Sequence, residues 1–195
     1  MPQFSTRQLS GYLRHHVPKD IILSNGNVPI QNVLDKFNLT RTKLEEIVNT
    51  NDKKRYIIEG DYIRAAQGHS NKYNINLEES TKLINSIEDL ELSDNTVIIH
   101  GTNERAIEEI KKTGLKPLKR NAIHCAIMTE IEKGTFKNER ESGIRKNASV
   151  LIKLKINEIL KDPEIKVFLS NNGVILIKTD LLKLDYCEII TGKIV

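Results

Sequence analysis

Arg55-Tyr56-Ile57-Ile58-Glu59-Gly60-Asp61-Tyr62-Ile63-Arg64-Ala65-Ala66 decides the first half of the fold. Two β-branched and aromatic runs, 55–58 and 62–66, flank Glu59-Gly60-Asp61, so the segment predicts a tight hairpin. Upstream, Thr40 is placed to cap a helix that turns Leu44, Ile47 and Val48 inward. Pro29 opens another through Val33, Leu34 and Phe37, after a turn at Asn25-Gly26. Earlier still, Ser5 caps a first helix with Leu9, Tyr12, Leu13 and His16 on one apolar stripe, ended by Pro18. Arg14 and His15 fall off that stripe. Two short helices followed by a hairpin is the element order of a winged helix.

Downstream, residues 71–95 are polar, and Leu77, Leu83, Ile84, Ile87 and Leu90 suggest a helix within a structured connector. The second half changes period. Thr96–Ile99 reads as a strand running into His100-Gly101-Thr102, and Ala106, Ile107 and Ile110 line a helix that stops at Gly114. Strands are expected at 121–127, 150–156, 166–169, 173–177 and 186–190, with a hairpin turn at Ser170-Asn171-Asn172. The fold class is therefore α+β. An N-terminal lobe spans 1–73 and a connector 74–95. A mostly antiparallel, β-rich lobe spans 96–195.

The bulk numbers narrow the function. The chain has 195 residues, 38% hydrophobic and 29% charged, and no apolar run approaches the roughly 20 residues of a membrane helix. Its first residues lack the apolar core of a signal peptide. Cys125 and Cys187 have neither metal-ligand spacing nor a disulfide framework and read as small apolar filler, which suits a reducing cytoplasm. Residues 1–73 carry 11 Lys+Arg against 7 Asp+Glu, 74–95 carry 1 against 6, and 96–195 carry 18 against 13. Two mildly basic lobes around an acidic segment suit a shared polyanion.

The chemistry concentrates in short blocks rich in Arg and His: Leu13-Arg14-His15-His16, Arg64-Ala65-Ala66-Gln67-Gly68-His69-Ser70, His100-Gly101-Thr102 and Arg120-Asn121-Ala122-Ile123-His124. A guanidinium presents a planar fork of donors matched to phosphate oxygens, so these blocks point to an anion bearing phosphates. No cluster of carboxylates or cysteines competes with them, and no oxygen-ligand cage for Mg²⁺ is visible. Singly, each block has a plainer reading: a solvated helix end for Arg14-His15-His16, an outward strand position for Arg64, surface charge for Arg120. Lys53-Lys54-Arg55 is a further candidate for contact with a phosphate backbone.

In order and together, these blocks resemble the NAD-dependent RNA 2′-phosphotransferases. The resemblance also includes Leu9-Ser10, Asn51-Asp52-Lys53, Gly114-Leu115, Gly143-Ile144-Arg145 and Ser170 with Asn172-Gly173-Val174, across about residues 9–176. The chain departs from the pattern after His15, where a Gly- and Trp-containing segment is missing, and at Cys125. The resemblance implies a winged-helix RNA lobe, an ADP-ribosyltransferase-like lobe, and a catalytic set of Arg14, His15, Arg64 and Arg120. It implies that His100, Gly101, Thr102, His124 and Arg145 bind NAD, with Gly101 letting the backbone approach the cofactor. NAD is a co-substrate in this reading and no metal is required. The partners are an RNA with an internal 2′-phosphate and NAD, with no membrane, and the protein is expected to be a monomer. Two alternatives stand beside it. One is an ADP-ribosyltransferase that modifies a terminal phosphate of nucleic acid and stops there. The other is a winged-helix regulator that binds nucleic acid, although its candidate recognition helix, 41–49, carries Glu45 and Glu46.

Overall fold

A computed structural model describes residues 4–90, 92–138, 140, 142–144 and 147–195. The chain forms two compact units: residues up to Ser80 together with Lys119–Asn121, and Thr81–Leu118 together with Ala122–Val195. The polar stretch 74–95 is thus divided between them.

The first unit begins with α1 (Thr6–Gly11). Its start is fixed by a capping box: the Ser5 hydroxyl accepts from the Gln8 amide, and the Gln8 side chain accepts from the Ser5 amide at 2.8 Å. The helix then widens into a π-helical turn, Tyr12–His16, closed by the Val17 amide donating to the Tyr12 carbonyl at 3.1 Å. The wider turn changes the helical phase. Leu9, Tyr12 and Leu13 are buried as their spacing predicts, but His16 is exposed, a correction to its place on the apolar stripe.

A short strand β1 (Val28–Pro29) leads into α2 (Ile30–Phe37) and α3 (Arg41–Asn49), the latter capped by the Thr40 side chain on the Lys43 amide. β2 (Tyr56–Glu59) and β3 (Tyr62–Ala65) form the expected hairpin, with Glu59 opposite Tyr62. Its turn needs Gly60 at φ +60°. β1 completes a three-stranded sheet in the order β1-β3-β2. Leu9, Leu13, Val28, Val33, Leu44 and Ile63 form the core beneath it. A four-residue helix, α4 (Leu77–Ser80), ends this run of chain.

The second unit is built on a nine-stranded sheet. Of the helix expected within 71–95 only the short α4, which holds Leu77, is formed. β4 (Lys82–Ile84) instead pairs along an edge of the sheet, followed by a 3-10 turn at Ile87–Leu90. Burying Ile84 and Leu90 in the sheet's apolar core outweighs the weak helical spacing. Then come β5 (Thr96–Thr102), α5 (Glu104–Thr113) and β6 (Ile123–Glu132). They are followed by β7 (Thr135–Asn138), β8 (Val150–Leu154) and a short α6 (Ile156–Ile159). The hairpin partners β9 (Lys166–Leu169) and β10 (Val174–Lys178) and the final strands β11 (Cys187–Ile190) and β12 (Lys193–Ile194) close the chain. The sheet runs β11-β8-β5-β6-β10-β9-β4, with β7 on β6 and β12 pairing parallel to β7. Every other pairing is antiparallel. The whole is a mixed α and β architecture, and no described helix is long and apolar enough to cross a membrane.

A cation cluster as candidate functional site

Arg14 lies in the π-helical turn, and its carbonyl accepts the Ser70 amide at 2.9 Å. Ser70 is also bridged to Arg120 in antiparallel fashion, while Asn71 N–H donates to the Lys119 carbonyl at 3.0 Å and Asn121 N–H to the His69 carbonyl at 3.3 Å. Residues 69–71 therefore act as a short ribbon joining the first helix to the segment that carries Arg120. This backbone route brings Arg14, His15, Arg64 and Arg120 into one unit.

The electrostatics bear this out. Arg14 is pulled down to about 10, first by burial and then by the Arg120 guanidinium, with Arg55 adding repulsion. His15 is held below the ordinary imidazole value by partial desolvation and then by Arg14, His16, Arg120 and Lys72. His69, nearly fully buried, is depressed to about 3 by desolvation and then by Arg14, Arg64 and His15. Each shift has the sign produced by like charge and low dielectric.

Arg64 is not the outward strand residue of the plainer reading. It is 5% exposed, and its Nη2 donates to Glu59 Oε1 at 2.8 Å across the hairpin. Glu59, the carboxylate of this ion pair, is half exposed. Arg14 Nε and His69 Nε2 are buried without a hydrogen-bond partner among the described residues. Concentrating guanidiniums beside one carboxylate opposes folding, and such arrangements gather where a site must hold an anion.

Two glycines shape the cluster. Gly26 has φ +86°, and a Cβ there would meet His69 Nε2 at 2.8 Å. Gly68 has φ +88°, and a Cβ there would touch the Arg14 guanidinium.

The remaining candidates lie in the second unit. His100, Gly101 and Thr102 end β5, just before α5, whose N-cap Asn103 accepts the Ala106 amide at 2.9 Å. His100 Nδ1 is 2.9 Å from the His124 carbonyl, and His124 Nδ1 is 2.9 Å from the Ala122 carbonyl. Both rings are thereby oriented by backbone, His124 buried and His100 half-buried. At Gly101 the space of a Cβ is taken by Ile144, 2.3 Å away, and Ala148, so the close approach at this glycine is made by protein side chains. Arg145 lies outside the described residues.

Sequence reasoning passed over His69 as a member of the site, although it stands in the Arg64–Ser70 block. Glu59 was read only as part of a turn. Strand alternation could have found it, since Glu59 and Arg64 sit near each other on facing strands of a hairpin with a two-residue turn. Among the described residues no group of three or more His, Cys, Asp and Glu side chains could hold a metal ion.

Residues 3–179 match the model of the RNA 2′-phosphotransferase, Tpt1 / KptA family. Among relatives, a Rhizobium rhizogenes protein named "Probable RNA 2′-phosphotransferase" is 26% identical, over 97% of this chain and 95% of its own. Proteins of the same name from Fusobacterium nucleatum and Pyrococcus horikoshii are 31% and 26% identical. They are covered over 88% and 93% of their lengths and match 86% and 90% of this chain.

Proposed function

We propose a mechanism for a chain that belongs to the RNA 2′-phosphotransferase, Tpt1 / KptA family of transferases: it moves an internal 2′-phosphate of RNA onto NAD. The products are 2′-OH RNA, ADP-ribose 1″,2″-cyclic phosphate and nicotinamide. The observation that carries this reading is the cluster of Arg14, Arg64, Arg120 and His15 in a single unit, with Arg14 acidified by burial and Arg120.

A phosphate monoester has a second pKa of about 6 and is largely dianionic near neutrality. As the nucleophile it needs no general base. It needs cations that bind it and fix its approach, and orientation of this kind can supply several kcal/mol of a barrier. Arg14, Arg64 and Arg120 take that role. When the phosphorus is later attacked and charge grows on its oxygens, the same fixed guanidiniums stabilise it. His15, held below the ordinary imidazole value by desolvation and then by Arg14 and its other cationic neighbours, donates one ring N–H to a phosphate oxygen.

NAD supplies the acceptor carbon and the nicotinamide leaving group. The donor set at the end of β5 fits such a ligand: His100 is half-buried with its ring set by the His124 carbonyl, and Thr102 adds a hydroxyl beside it. In this reading His100, Thr102 and His124 orient the dinucleotide, and Gly101 lets Ile144 and Ala148 pack onto β5. The first unit is read as a winged-helix RNA lobe, its helices followed by the β2–β3 hairpin, and the second as an ADP-ribosyltransferase-like lobe. A reducing cytoplasm suits the free thiols of Cys125 and Cys187.

The test is to incubate the protein with a short RNA carrying one internal 2′-phosphate, with and without NAD, and to identify every product by mass. Loss of one phosphate from the RNA only with NAD, together with ADP-ribose cyclic phosphate, is expected. RNA that keeps an ADP-ribose adduct would mark a transferase that stops at the first step. Binding without NAD consumption would mark a nucleic-acid-binding regulator.

A further inference from the structure

A groove of about 610 Å³ lies on the first unit, lined by residues other than those assigned to the reaction. It is lined by Arg7 of α1, Tyr12 and His16 of the π-helical turn, and Lys36 and Phe37 of α2, among others. Among the described residues no carboxylate lines it. Arg7, His16 and Lys36 make no salt bridge among the described residues. The adjacent Asp35 carboxylate is occupied by the Gln31 side chain at 2.7 Å. Phe37 is held edge-on by Phe4 at 5.2 Å and by Tyr12 at 5.5 Å, which fixes a partly exposed ring in the groove.

The groove borders the cation cluster. The His16 ring in its wall is 6.1 Å from the ring of His15. A strand whose 2′-phosphate is held by Arg14 and His15 would need only a short step along its backbone to reach the groove. Cations that track phosphates, next to a fixed aromatic ring offering a face for stacking, are the composition of a single-strand nucleic-acid groove.

We propose that this groove is a subsite for the single-stranded RNA flanking the 2′-phosphorylated nucleotide. Arg7 and Lys36 contact two backbone phosphates, and Phe37 stacks on one base. The proposal rests on the reading of this chain as acting on RNA. It adds a backbone-reading site that is independent of RNA sequence, because phosphate contacts position the strand and carry no base information.

The test uses the full chain and the double variant Arg7→Ser, Lys36→Ser. Both side chains are exposed, so the fold should be kept, and an unchanged melting temperature verifies this. Binding of a fluorescent single-stranded oligoribonucleotide without a 2′-phosphate is measured across a salt series. The variant is expected to bind about tenfold more weakly at low salt, with a log–log salt slope shallower by about 1.4, as for two phosphate contacts on a single strand. Turnover of a 2′-phosphorylated dinucleotide, too short to reach the groove, should be unchanged. Equal oligonucleotide affinity and slope for the two proteins would overturn the proposal. So would an equal loss on the dinucleotide, or a preference for anionic lipid vesicles with the same dependence on Arg7 and Lys36. If both proteins bind RNA as expected yet neither turns over 2′-phosphorylated RNA, the groove stands and the proposed reaction fails.

Discussion

Gly68 turns its bare Cα toward Arg14: a Cβ there would lie 3.4 Å from both Cζ and Nε of the guanidinium. The backbone at Gly68, φ +88°, is also one that other residues adopt only with strain. The loop after β3 thus forms one wall of the space in which the Arg14 side chain is held.

Gly68→Ala and Gly68→Val separate these two effects. Alanine brings the backbone penalty, about 1–2 kcal/mol, while its methyl makes ordinary contact with Arg14. Its melting temperature should fall by several degrees and kcat should stay within about threefold. Valine adds atoms in the space of the guanidinium, and kcat should fall a further tenfold or more, since small misplacements of catalytic groups are costly. Steady-state kinetics beside thermal melts check this; equal kcat for the two variants would contradict it.

Removing cations from the cluster should cost activity and spare stability. Arg14→Ala and Arg120→Ala are each expected to lower kcat/KM at least 100-fold, about 2.7 kcal/mol of transition-state stabilisation. Because each also removes repulsion, neither should lower the melting temperature by more than a few degrees. The wild-type protein should be stabilised by millimolar inorganic phosphate, and both variants should lose most of that stabilisation. Differential scanning fluorimetry in a phosphate series measures it.

His69 predicts a pH dependence of stability. Its folded pKa, about 3, lies below its ordinary 6.5, so between these values the unfolded chain binds one more proton. The stability it confers is present above about pH 6.5 and is lost as pH falls toward 3, at up to about 1.4 kcal/mol per pH unit. Denaturant unfolding from pH 7 to pH 4 should show a steeper loss for wild type than for His69→Asn. Parallel curves would contradict the assignment.

Gly143 is held by backbone rather than side chains. At φ +89°, a Cβ would meet Ala126 Cα and the Cys125 carbonyl, each at 2.9 Å. Gly143→Ala should therefore destabilise the β6 region by at least about 2 kcal/mol, lowering the melting temperature by about 4–8 °C. Gly11→Ala, with open space around it, should be neutral by the same melt.

Much of the fold could be read locally. Ser5 and Thr40 cap helices because their side chains reach amides three residues on, and the run 55–66 folds on itself through Gly60. The strands of the second unit announce themselves through β-branched runs such as 96–99 and 174–177. What stayed hidden depends on partners distant in sequence. β4 has only three residues, and its strand state comes from pairing with β9, more than 80 positions away. The meeting of Ser70 with Arg120 is a single bridge with no periodicity to announce it, yet it places Arg120 beside Arg14. The π-helical turn, which moves His16 out of the apolar stripe and into the groove wall, follows no propensity rule applied to residues 12–16. Among the candidate site residues, the three arginines and His15 could be picked out from the motif order. The Glu59–Arg64 pair and the burial of His69 required the folded hairpin and loop.

The central claim is that Arg14, Arg64 and Arg120 act together on one phosphate. Phosphorus NMR of an RNA with a single 2′-phosphate, titrated with pH in the presence of saturating protein, tests it directly. Convergent guanidiniums should lower the second pKa of the bound ester by more than one unit from about 6, and Arg14→Ala with Arg120→Ala, which leaves Arg64, should return it most of the way to the free value. A bound ester that titrates as it does in free RNA, or a lowering that is undiminished in the double variant, would contradict the claim.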